Sequence, residues 1–386
     1  MGRFLQRGWV VLAAGAVMML FSGVPSAWGI FRKAACETYG FSPEQSALVL
    51  NLTVAAFGLG SVAGGWLQDK AGPRLCALAG SGLLAGGFAA AALVPAGWTP
   101  AFYAGFCIPA GTGCAFLYPA VMTCAQRWYP EKRGLATGVP GVGFGLSGLV
   151  ITLVHRTAGG MWGLRGSFWT LAVLAAVVCG GGSLLLSLPP DESVRPSEGM
   201  TPVQVLKSKS WRLLALAGAL AAPAVLLFSP RIVEMAQSHG AEAGAGWTVA
   251  LGAAANAAGR LAAPAAGDRL GRKQVQTGLL CVLAALAAGF WWMQGWWFLA
   301  GYAGLCFFYS GQAALLPSFV TDLFGPRWAG VNYGLAALGT AAGSVAFPLA
   351  VNALGGGDLV RHAAACAAPL AGVFCLRRLP DKPKKK

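Results

Sequence analysis

"GGWLQDKAGPR" occupies residues 64–74, and "PAAGDRLGRK" occupies residues 264–273. Each passes from small apolar residues into an aspartate, a basic residue, a free position and a glycine, then closes on Pro-Arg or Arg-Lys. Asp69 and Asp268 stand 199 residues apart. A second pair keeps the same step: "LYPAVMTCAQRWYPEKRGLATG" (117–138) resembles "LLPSFVTDLFGPRWAGVNYG" (315–334), with Pro119 and Pro317 separated by 198. Two motifs recurring in register divide the chain into parallel repeats, the arrangement of two helical bundles related by an axis along a membrane normal.

Working outward from these loops, apolar runs long enough to cross about 30 Å of hydrocarbon cover 9–31, 46–67, 75–95, 99–126, 134–155 and 165–187. After a polar, proline-bearing stretch they resume at 212–231, 245–266, 275–293, 296–320, 329–354 and 358–376. Only 11% of the 386 residues are charged and mean hydropathy is +0.62, where a soluble domain carries roughly 25% charged residues. The prediction is an all-α membrane protein with 12 transmembrane helices in two six-helix bundles. Its divisions are 1–188 for the first bundle, 189–211 for a central loop, 212–376 for the second bundle and 377–386 for a basic tail. The N-terminus imitates a signal peptide, with a basic start and small residues near Ser26-Ala27. Cleavage would leave an odd number of spans, so it is read as the first helix, uncleaved.

Net charge is +15, from 28 Lys and Arg against 13 Asp and Glu. In a soluble protein that excess suggests nucleic acid. Here 21 of the basic residues sit at the two ends and in alternate loops, six sit in the other loops, and Arg260 sits in neither. This bias predicts cytoplasmic termini and a cytoplasmic central loop in a multi-pass protein of the bacterial inner membrane, with lipid and not nucleic acid as its surroundings. Nine of the ten cysteines fall in or beside apolar runs, Cys36 reads as a loop residue, and His155 and His239 read as loop residues too. No C-x-x-C and no nucleotide-binding G-x-x-x-x-G-K-[ST] occurs. Neither a metal, a cofactor nor ATP-driven transport is expected.

The repeated loop has a physical task. Gly72 and Gly271 permit a tight turn between helix ends, while Asp69 and Asp268 can meet a neighbouring helix N-terminus or a basic side chain. With Arg74 and Arg272 they form a candidate conformational latch. At this point the chain resembles the major facilitator superfamily, whose second and third helices are joined by such a Gly…Asp…Gly…Arg loop. More narrowly, "SAWGIFRKAACETYGFSPEQSAL", "RWYPEKRGLATGVPGVGFG", "NAAGRLAAPAAGDRLGRK" and "NYGLAALGTAAG" are similar to the oxalate/formate antiporter family and to the related monocarboxylate transporters. "RWYPEKRGLATG" is the most specific of these stretches.

All 13 acidic residues lie in loops or at helix ends, Asp358 opening the last run, which disfavours a membrane-embedded carboxylate relay. The one deep charge is Arg260, about 12 Å along its helix from Asp268. A buried arginine can serve structure, bonded to carbonyls or hydroxyls. It can also grip a carboxylate through two parallel hydrogen bonds. The resemblance implies the second role, because the family's eighth-helix arginine binds the substrate carboxylate.

Asn256 lies one turn before Arg260. The similar animal transporters carry aspartate there, implicated in proton coupling, so Asn256 puts a protein-borne proton in doubt. Tyr118 and Tyr309 occupy matching helices of the two halves and are candidate cavity residues. Leu146 is a candidate apolar wall. Dicarboxylate-handling relatives place a lysine eight residues after the Asn of a similar "NYG" stretch, and that count lands on Thr340 here.

One buried cation suits one carboxylate. The expectation is a secondary transporter of lactate-, pyruvate- or formate-like anions, not an enzyme, coupled to a proton or to anion exchange and functional as a monomer. The alternatives are an oxalate/formate-type dicarboxylate exchanger and a drug or sugar exporter. A membrane enzyme or sensor would need a reactive cluster or a large soluble domain, and the longest loop is about 24 residues.

Overall fold

The computed structural model describes residues 2–190 and 198–380. The side chains of Arg3 and Arg7, and all of Arg195 and the tail lysines, lie outside the described residues. The first crossing, α1, is two helices, Gly2–Met19 and Val24–Tyr39. The next three are α2 (Pro43–Ala71), α3 (Pro73–Leu93) and α4 (Thr99–Trp128), the last with a π turn at Tyr103–Cys107. Helices α5 (133–162) and α6 (164–185) form one unbroken pattern of helical bonds except at Gly163, whose φ of 68° and ψ of −173° reverse the chain. A short capped helix, Pro202–Lys207, precedes α7 (Lys209–Ser238), which is interrupted near Pro223. Then come α8 (Thr248–Leu270), α9 (Arg272–Phe290), α10 (Gly295–Phe324), α11 (Ala329–Ala353) and α12 (Asp358–Arg377).

Among the described residues, nine helices are long and apolar enough to cross a membrane on length and hydropathy alone. The 53-residue stretch from Arg133 counts once there but crosses twice, because Gly163 folds it back. The interrupted α1 and α8 complete the 12. Helix α8 falls short because Asn256 and Arg260 dilute its apolar content. The helices gather into two six-helix bundles that meet along α2 with α11 and α5 with α8.

The repeat is visible in geometry. Pro119 lies inside α4 and Pro317 inside α10, and Thr123 and Thr321 each donate a hydroxyl hydrogen to the proline's carbonyl, at 2.7 and 3.0 Å. Such back-bonding bends a helix. Gly72 and Gly271 turn the chain at φ 88° and 90°, backbone that other residues rarely adopt.

Two sequence expectations need correction. Cys36 lies inside the second helix of α1, not in a loop, because the helix continues to a left-handed cap at Gly40. His155 lies on α5 with Nδ1 2.9 Å from the Ser167 hydroxyl of α6. The polar stretch that read as a loop is helical there, and a single glycine makes the turn. His239 stands in the turn that follows the last helical turn of α7, as expected, its ring nitrogen 2.8 Å from the Met235 carbonyl.

The basic end of the molecule, where Lys70, Arg127, Arg133 and Arg272 cluster, is closed. A Cβ on Gly134 would overlap the Pro264 carbonyl, and one on Gly330 would sit 2.7 Å from the Gly65 carbonyl. Close contact between α5 and α8 reaches Gly145, whose Cβ would meet Ala257 at 2.7 Å, whereas Gly148 has nothing within 4 Å. The bundles are zipped from the basic end to mid-helix and part beyond it. The stretch before α7 also packs at this end: Met200 N–H donates to the Phe324 carbonyl at 2.7 Å, and the Asn332 amide donates to the Met200 carbonyl at 3.1 Å.

Candidate functional site

Arg260 sits midway along α8, where the contact between bundles ends, and is 7% exposed. Its Nε donates to Asn256 Oδ1 at 2.8 Å, one turn away. Its guanidinium carbon lies 4.5 Å from the centroid of the Phe144 ring on α5. These contacts make the buried charge tolerable. The ring face offers cation–π attraction, and the amide oxygen satisfies one donor. Among the described residues no carboxylate pairs with it. With Nε committed to Asn256, the two terminal nitrogens form the edge that a carboxylate can accept from in parallel.

Aromatic rings wall this centre. Tyr118 of α4 lies edge-on to Phe144 at 5.3 Å and stacks on Tyr333 of α11, with centroids 5.5 Å apart and planes 20° apart. The Tyr118 phenol is beside both Arg260 and the Tyr333 phenol. Tyr309 of α10 stands near Arg260 as well, with its phenol against Ser344 of α11. The structure therefore brings together Arg260, Asn256, Tyr118 and Tyr309. Thr340 is on the stripe of α11 that carries Tyr333 and Ser344, but its hydroxyl faces Gly218 of α7, 2.7 Å from where a Cβ would stand. Leu146 is half-buried. It lies two residues, and so about 200° around the helix, from Phe144, the α5 side chain that actually covers the guanidinium.

Phe144 and Tyr333 were not singled out from the sequence. Tyr333 had a signal, since it belongs to the quoted "NYG" stretch. Phe144 stands among glycines in "GVGFG" and carries no positional signal of its own.

At the basic end the two aspartates cap helices of the opposite bundle. Asp69 accepts from the N–H groups of Gly330 (3.0 Å) and Val331 (2.9 Å) at the start of α11. Asp268 accepts from Gly134 and Leu135 at the start of α5, both at 2.9 Å. Each carboxylate meets the positive end of a helix dipole and two of its orphan donors. Arg272 reaches Asp268 at 2.9 Å and Asp322 at 2.8 Å, and Arg133 from the first bundle reaches Asp322 at 3.3 Å. Arg74 is exposed and outside this set of bonds.

Comparison with known proteins follows the same lines. The Major Facilitator Superfamily model matches residues 8–348. The oxalate:formate antiporter of Oxalobacter formigenes is 26% identical over 352 residues, covering 85% of this chain and 80% of the relative. Monocarboxylate transporter 9 of Gallus gallus is 25% identical over 195 residues, 50% of this chain and 38% of the relative. The proton:xylose symporter XylE, solved with 6-bromo-6-deoxy-D-glucose, superposes with a TM-score of 0.69 at 14% identity, over 96% of this chain and 95% of that one. That last likeness concerns the fold alone.

Proposed function

This chain belongs to the Major Facilitator Superfamily, a family of transporters and not enzymes, and from that premise we propose that it carries small monocarboxylates of the lactate, pyruvate and formate class by alternating access. The observation that carries the reading is Arg260: a buried arginine at the bundle interface that pairs with no carboxylate among the described residues, steadied by Asn256 and Phe144, with its terminal nitrogens turned from Asn256 to grip a carboxylate. Tyr118 and Tyr309 contribute phenol donors, while Thr340, facing α7, and Leu146, on another face of α5 from Phe144, stand apart from this group. The low-identity relatives named for oxalate, formate and monocarboxylates support a small carboxylate as the substrate class.

The basic end is the cytoplasmic side by the charge bias, which puts both termini inside and makes the arrangement outward-facing. Asp69, Gly72, Asp268, Gly271 and Arg272 then form the latch of that state, with Arg74 at its margin. Residues 1–188 and 212–376 are the two moving bundles, joined by 189–211 and followed by the basic tail. The carrier is a monomer in a bacterial inner membrane. Its coupling is to a proton riding on substrate or water, or to exchange for a second organic anion, since Asn256 cannot titrate.

A second reading is favoured by the oxalate:formate relative: a dicarboxylate exchanger. Charge argues against it. A dianion opposite one arginine leaves a net negative charge in a low-dielectric cavity, which costs several kcal/mol unless another cation answers it. Counterflow uptake in proteoliposomes with labelled lactate, formate and oxalate, with and without a pH gradient, separates the two. The expected order is monoanions over oxalate. Tight oxalate uptake with no lactate uptake contradicts the monocarboxylate reading. Thr340→Lys should weaken lactate uptake, because it adds a desolvated cation beside a monoanion.

A further inference from the structure

Helices α5 and α11 begin alike, each with two N–H groups under an aspartate of the other bundle. Counting in step from those capped turns, Thr137 of α5 occupies the place that Tyr333 has in α11. One half has a small side chain there. The other has a phenol that crosses to α4 and stacks on Tyr118. Both tyrosines are nearly fully buried, at 3% and 6% exposure, with their hydroxyls beside one another and beside Arg260. Tyr333 is four residues, about 6 Å, into α11 from the basic end, while Arg260 is about 15 Å from the end of α8. The ring of Tyr333 therefore lies under the guanidinium, on the closed side.

We propose that Tyr333, paired with Tyr118, is the floor of the anion site and senses its occupancy: the phenols tie the bundles together when the site is empty, and a bound carboxylate takes their hydroxyl hydrogens and releases the tie. This rests on the reading of the site as a carboxylate site. A phenol has one hydrogen to donate. In the empty protein the available acceptor is the neighbouring phenol oxygen across the bundle interface. An anion held by Arg260 offers a charged acceptor, which makes a shorter and stronger bond. Once both hydroxyls turn to it, the Tyr118–Tyr333 contact between α4 and α11 is reduced to the stacked rings. The basic end then opens more readily loaded than empty, which favours exchange over net flux.

Tyr333→Phe keeps the ring and the stack and removes the hydroxyl. In proteoliposomes, efflux of labelled lactate into lactate-free buffer is compared with efflux into lactate. The ratio of net to exchange flux should rise about three- to tenfold, the range set by one lost hydrogen bond. A residue needed only for packing would lower both fluxes together, and an unchanged ratio overturns the proposal.

A second arm needs no transported anion. Thr137→Cys, buried at the basic end in the closed arrangement, is labelled in inside-out vesicles with an impermeant maleimide, relative to the parent protein. Labelling of the empty carrier should be several-fold faster when Tyr333→Phe is added. Equal rates overturn the tie. Wild-type protein that moves no lactate, with faster labelling still seen in Tyr333→Phe, would reject the carboxylate assignment and keep the tie.

Discussion

The basic-end turn of the first half and that of the second half hold their partner helices by the same pair of bonds, yet their surroundings differ. Asp69 caps α11 and Asp268 caps α5, each through two amides at 2.9–3.0 Å. Around Asp268 the chain adds Arg272, Asp322 and Arg133, an ion network that joins both bundles. In step with the repeat, Pro73 occupies the place of Arg272 and Cys124 that of Asp322. Cys124 donates to the Ser187 carbonyl at 3.3 Å instead. The shared part is the geometry of a carboxylate on a helix N-terminus, which the glycine turn positions. The Arg272–Asp322 pair is particular to the second turn, since Pro73 and Cys124 stand at the matching places of the first.

Removing the carboxylate charge should therefore harm the second turn more. Asp268→Asn loses two charge-assisted acceptors and the pair with Arg272, each bond being worth about 1.5–3 kcal/mol. Labelling of Thr137→Cys from the basic end should accelerate at least tenfold, and transport should slow as the bundle equilibrium shifts. Asp69→Asn should act in the same direction with a smaller acceleration, and an Asp69 effect larger than that of Asp268 would break the comparison. Arg133→Ala removes a pair at 3.3 Å between side chains 26% and 18% exposed. Its effect should be at most about 1 kcal/mol and should fade as salt is raised. A large, salt-independent Arg133 effect would mean that the network, not the helix capping, closes this end.

How much of this the sequence made legible depends on the kind of signal. The two aspartate loops and the 198–199 residue step announced the repeat, and the structure has both aspartates at helix N-termini, with Asp268 also paired to Arg272. Arg260 and Asn256 were legible because polar groups are costly within an apolar run. Arg74 was not separable from Arg272. Both follow the motif glycine, but Arg74 stands one place later, where the second half has Lys273, and only the packing shows that Arg272 turns inward to two aspartates while Arg74 stays exposed. Phe144 and Tyr333 escaped notice because aromatic residues abound in such a chain and carry no positional signature until a neighbour is known. The loop reading of His155 failed for a related reason. Polar residues near a helix end resemble a loop unless one knows that Gly163 alone makes the turn.

The central claim is that Arg260 grips a carboxylate by the edge of its guanidinium. The most direct measurement is equilibrium binding of labelled lactate to purified wild-type protein and to Arg260→Lys, with correct folding confirmed by thermal unfolding. An ammonium keeps the charge but cannot supply two parallel donors, so lysine should weaken binding about 10- to 100-fold, nearly as much as Arg260→Ala. Lactate bound by Arg260→Lys, or by a well-folded Arg260→Ala, at wild-type affinity would contradict the account and leave Arg260 a structural residue held by Asn256 and Phe144.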